Sequence, residues 1–238
     1  MDGLVIFARC MSPRTNPLTA YAAPFVVFML LLGAVQVIGS AFTHSGSFLL
    51  AEPKYWIFPA QTILCAAMLW RFWSSYQFRK PEKIGLTLIL AILVLAIWIS
   101  PQEIFGRPRR YDGFDPTLFG ENRALFATTL ALRFARLVIV VPLVEEIFWR
   151  GFLLRYVIRE DFEKVPLGTF SWTSFSLVAG CFGLAHWGAD FVPALLTGAI
   201  YNFLIYRTRS LSSCVLAHAV TNLGLGIYIM ATQQWGFW

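Results

Sequence analysis

Residues 124–158 read ALFATTLALRFARLVIVVPLVEEIFWRGFLLRYVI, and Arg133, Arg136, Glu145, Glu146, Arg150 and Arg155 are the charged side chains in the run. A membrane-spanning helix needs about 20 mostly apolar residues, and this run exceeds that. The run is long and interrupted. Similar runs lie on either side: Tyr21 to Phe42, Tyr55 to Trp73 and Ile84 to Ser100 before it, then Phe170 to Trp187, Phe191 to Tyr206 and Leu211 to Met230. The expected fold is therefore all-α, a polytopic membrane bundle of about seven spans. An eighth could hide within the long fourth run or between Pro101 and Gly120.

Composition supports lipid as the solvent. Hydrophobic residues make up 58% of the 238 positions and charged residues 13%, about half the share found in soluble domains. A soluble chain this apolar could not cover its own surface. The net charge of +6 does not point to nucleic acid, because the basic residues gather between apolar runs and form no basic face. That placement is the positive-inside bias. Arg71, Arg79, Lys80 and Lys83 fall on one side with Arg155, Arg159 and Lys164, with Arg207 and Arg209, and with Arg9 and Arg14, and that side is expected to be cytoplasmic. The basic loop at Arg107 to Arg110 opposes this orientation, diluted by nearby acids. The first apolar run follows some twenty polar or mixed residues and reads as a retained helix, not a cleaved signal. Cys10, Cys65, Cys181 and Cys214 form no CxxC and read as small apolar side chains rather than metal ligands or disulfides. Residues 1–123 hold N-terminal helices and a polar loop; residues 124–238 hold the chemistry, and the two are expected to form one membrane domain.

Ionisable side chains inside spans are costly, so each is a functional candidate. Glu146 and Arg150 lie four apart, acid before base, the favourable order for a helical ion pair. Glu145 is rotated about 100° from Glu146. One carboxylate is then neutralised by Arg150 while its neighbour stays free to accept a proton. Alone, this could equally be a structural ion pair beside a solvent-facing acid. His186 stands about as far beyond the turn near Val165 to Gly168 as Glu145 stands before it. Antiparallel helices would bring the two to one depth, where they could hold a water between them. His218 and Asn222, four apart, share a helical face. Both can donate hydrogen bonds, as an oxyanion hole requires, or they could simply bond neighbouring helices. Counted from the Arg207–Arg209 loop, His218 is shallower than His186 by roughly two turns, so tilt or an unwound helix end must close that gap. Arg133 and Arg136 are expected to snorkel or pair with acids.

The ordered set EExxxR, FxxxH and HxxxN, here Glu145 to Arg150, Phe182 to His186 and His218 to Asn222, resembles the CAAX-protease and bacteriocin-processing family of intramembrane proteases. Gly151 and the run YRTRSLSSCVLAHAVTN also fit, with Arg209 where that family usually has glycine. The resemblance covers roughly Ala124 to Met230, and YDGFDPTLFG looks like its CAAX prenyl protease-related subgroup, found in bacteria with exosortase sorting systems. It implies an endopeptidase in a bacterial inner membrane, acting on a membrane-associated protein or peptide. Glu145 would activate water with His186, His218 and Asn222 would stabilise the oxyanion, and Glu146 and Arg150 would support the first motif. No HExxH, GxSG or GxGD is present, which sets aside those zinc, serine and aspartate membrane proteases. Two histidines and a glutamate could still ligate zinc, but zinc would occupy Glu145 and leave no clear base, so no cofactor is expected. The competing readings are a non-catalytic scaffold or immunity-type protein of the same fold, and a transporter. An intact motif set disfavours the first. The charge-poor first half disfavours the second.

Overall fold

The computed structural model describes residues 16–238; Cys10, Arg9 and Arg14 lie outside them. Seven long helices make up the architecture: α1 (Pro17–Ala41), α2 (Lys54–Arg71), α3 (Ile84–Glu103), α4 (Arg123–Tyr156), α5 (Trp172–Ala185), α6 (Phe191–Thr208) and α7 (Leu211–Thr232). They coincide with the seven apolar runs. No eighth long helix occurs among the described residues; the segment between Pro101 and Gly120 holds only the short turn Pro116–Phe119. Four helices, α1, α3, α4 and α7, are long and apolar enough to cross a membrane, while α5 is apolar but shorter. Exposed Leu30, Val37, Ile63, Ile89 and Ile227 point outward, as a lipid-facing surface requires. The protein is a helical membrane bundle.

Polar caps start the helices. Asn16, Asn122, Ser171 and Ser210 each accept a backbone N–H from the first turn of α1, α4, α5 and α7, satisfying donors that a helix leaves unpaired. The helices pack α1 on α2, α5 on α6, and α3 against both α6 and α7, with α4 threading between α1 and α7. Small residues set the closest approaches. A Cβ at Gly198 would lie 3.1 Å from Ala179 Cα and Phe182 Cβ, so α5 and α6 can close only on a glycine.

Helix α4 departs from regular geometry. It changes to π-helical turns at Arg136–Val140 and again at Ile147–Leu153, a distortion that is rare and frequent at functional sites. The first has a readable cause. Val141 N–H bonds the Arg136 carbonyl, so the next position in that register is the nitrogen of Pro142, which has no hydrogen. The Leu137 carbonyl is left for a partner outside the helix.

The expected snorkelling of Arg133 and Arg136, or their pairing with acids, does not occur. Both are buried, and neither forms an ion pair among the described residues. Arg133 stacks within 5.4 Å of the Phe58, Phe114 and Trp238 rings. Arg136 donates from Nε to Gln61 Oε1 at 2.8 Å and lies over Phe28 and Phe58. The aromatic rings of α1, α2 and the loop before α4 close over them, which spacing along α4 alone could not reveal.

Candidate active site

Four of the sequence candidates meet at one cleft. Glu145 from α4, His186 from the end of α5, and His218 and Asn222 from α7 line a cavity of about 160 Å³, with Trp98, Tyr201, Thr221 and Phe237. The depth mismatch between the histidines is closed by an unwound end. Helix α5 stops at Ala185, and His186 caps it in a non-helical conformation.

Glu146 and Arg150 do not face this cleft; they form its floor. Both are fully buried, and Arg150 Nη1 donates to Glu146 Oε1 at 3.1 Å. Arg150 also donates from Nε to Asn202 Oδ1 and from Nη2 to the Gly198 carbonyl, each at 3.2 Å. Its guanidinium lies over the Phe182 and Tyr201 rings. One side chain thereby ties α4 to α6 and sits on the α5 phenylalanine. Asn202 in turn donates to the Phe175 carbonyl of α5 at 3.1 Å. Asn202, Gly198 and Tyr201 belong to no recognised motif, and the only hint of them was an asparagine within an apolar run.

The hydrogen bonds settle which way the rings and amide face. His186 Nδ1 lies 2.9 Å from the Phe182 carbonyl. A carbonyl can only accept, so Nδ1 carries the proton and, in the neutral ring, Nε2 presents a lone pair. Phe182 stacks on this imidazole and Trp98 packs edge-on to it, with Trp98 Nε1 donating to Thr197 at 3.0 Å. His218 Nδ1 donates to Glu146 Oε1 at 2.8 Å. That carboxylate thus serves both Arg150 and His218. With Nδ1 donating to Glu146, His218 Nε2 can donate only when the ring is imidazolium. Asn222 Nδ2 donates to the freed Leu137 carbonyl at 2.8 Å, which orients the amide and leaves its second N–H available. Tyr201 donates to Thr221, and Thr221 to the Ala91 carbonyl, fixing the wall between the two histidines.

Glu145 differs from Glu146 in forming no ion pair among the described residues. It is buried, and among the described residues its Oε2 has no hydrogen-bond partner, as is also true of Glu146 Oε2. Among the described residues no three His, Cys, Asp or Glu side chains are grouped to hold a metal ion; with Nδ1 of each histidine engaged, Nε2 is the ring nitrogen left for the cleft.

A carboxylate, two oriented imidazoles and an amide thus line one recess of a membrane bundle. Residues 127–224 match the family model described as Rce1-like, type II CAAX prenyl endopeptidase Rce1-like, so this part of the chain is similar to that family. The matched segment begins in α4 and ends in α7, and it contains Glu145, Glu146, Arg150, His186, His218 and Asn222. The chain matched no curated protein and no solved structure.

Proposed function

We propose that the protein is an intramembrane endopeptidase that hydrolyses a peptide bond of a membrane-associated protein or peptide with a water activated by Glu145. The observation that carries this reading is the contrast between the two adjacent carboxylates. Among the described residues Glu146 is held through Oε1 by Arg150 and His218, with its Oε2 unpartnered, whereas Glu145 forms no ion pair and lines the cleft.

In this mechanism Glu145 removes a proton from water while the His186 Nε2 lone pair accepts the water's other hydrogen. The oxygen attacks the scissile carbonyl carbon and the carbonyl π electrons move to its oxygen. Imidazolium His218, through Nε2–H, and Asn222, through its second Nδ2–H, donate to that oxyanion, an interaction made mainly in the transition state. When the tetrahedral centre collapses the C–N bond breaks, and Glu145 returns its proton to the leaving nitrogen. The chemistry needs no metal, and Glu145, His186, His218 and Asn222 each have one use.

The test is trapping. Glu145→Ala protein expressed in native membranes should co-purify with intact peptides that the active protein cuts. If added active protein leaves every trapped species uncut, the proteolytic reading fails.

A further inference from the structure

Arg133 is 3% exposed, and among the described residues its Nε, Nη1 and Nη2 have no hydrogen-bond partner. Among the described residues no carboxylate forms an ion pair with it. Ring faces attract the cation but accept none of its N–H bonds. A second buried donor in the same ring cluster, Trp238 Nε1, also lacks an acceptor. A buried charge left in this state is strongly unfavourable. The region is rich in donors and short of acceptors, and an anion is what it lacks.

Beside Arg133 lies a recess lined by Pro59 and Thr62 of α2 and by Thr129 and Leu132 of α4, with about 10 Å³ of free volume. That is room for about one acceptor atom, not for a whole polyatomic ion. The recess lies in the seam between α2 and α4, where Trp56, Ile63 and Leu125 are exposed. Helix α4 has 34 residues, about 51 Å at 1.5 Å per residue, against a hydrocarbon thickness of about 30 Å. Arg133 stands about 35 Å along α4 from Tyr156 by the same rise. With Tyr156 at one face, Arg133 reaches the headgroup level of the other.

We propose that this recess binds one phosphate oxygen of an anionic membrane lipid, with Arg133 as the principal donor and Arg136 adding charge. The acyl chains would lie along the outer faces of α2 and α4. None of these groups belongs to the Glu145 cleft, so the proposal stands or falls independently of the catalytic reading.

The experiment is thermal unfolding of the delipidated full chain in a non-ionic detergent. The probes are dioleoylphosphatidylglycerol, dioleoylglycerol (the same chains without phosphate) and inorganic phosphate. Phosphatidylglycerol at about 100 times its Kd should raise the wild-type Tm by about 5–10 °C, and the other two probes should not. Thr129→Leu, which fills the recess but keeps the arginine, should lose that shift. Arg133→Met should melt at or above the wild-type temperature without lipid, because it removes an uncompensated buried charge, and should gain nothing from phosphatidylglycerol. A wild-type-sized shift in both variants would overturn the site. An equal shift from dioleoylglycerol would overturn the role of phosphate, and an equal shift from inorganic phosphate would overturn the lipid as its source.

Discussion

Removing the Arg150 guanidinium probes the floor of the cleft without touching the proposed base. In Arg150→Ala, Glu146 keeps its place with no solvent exposure but loses the cation 3.1 Å away. Breaking a buried ion pair from one side typically costs about 3–5 kcal/mol. Two further acceptors, the Gly198 carbonyl and Asn202 Oδ1, lose their donor, at about 1–3 kcal/mol for a buried group left unsatisfied. His218 remains on Glu146 and offsets part of this, which places the net loss at about 3 kcal/mol or more. At about 2–4 °C per kcal/mol for a chain of this size, Tm should fall by about 6–12 °C. Thermal unfolding in detergent, followed by tryptophan fluorescence, reads this directly. The double variant Glu146→Gln, Arg150→Met should recover part of the loss, because it leaves no lone buried charge, and the cycle isolates the coupling. An Arg150→Ala protein that melts with the wild type but does not turn over would refute the assignment and make Arg150 part of the chemistry.

Asn222→Ala should reduce turnover by about 10²–10³ with little change in KM; a change confined to KM would make Asn222 a binding residue. Pro142→Ala restores a backbone N–H where the first π-turn lacks one. It should let α4 relax toward regular geometry, lowering activity by displacing Glu145 while leaving Tm unchanged or raised, and equal activity would show that the π-turn does not position the base. Exhaustive chelation of purified protein should leave activity intact, with no stoichiometric zinc by elemental analysis. Loss on chelation followed by recovery on zinc addition would overturn the metal-free mechanism.

Apolar runs and motif spacing made most of this legible in advance. Because lipid tolerates only internally satisfied backbone, runs of about 20 apolar residues translate directly into helices, and all seven runs did so. Spacing on one helix likewise anticipated the Glu146–Arg150 pair. What spacing could not supply was contact between helices. Glu146 reaches His218 across 72 positions, and Asn222 reaches Leu137 across 85, through a carbonyl freed by Pro142. The π-turns at Arg136–Val140 and Ile147–Leu153 had no counterpart in the motif spacing. Arg133 and Arg136 were misread for the same reason: their aromatic partners come from α1, α2, the loop before α4 and Trp238, all outside α4.

The central claim is that Glu145, and not its neighbour Glu146, activates the water. Glu145→Gln keeps the size of the side chain and removes its ability to take a proton. On a peptide identified by trapping, single-turnover cleavage by Glu145→Gln should fall by at least the roughly 10²–10⁴-fold that a positioned general base contributes. Its Tm should stay near that of the wild type, since the carboxylate makes no hydrogen bond through Oε2 that could be lost. Cleavage by Glu145→Gln at the wild-type rate would contradict the account.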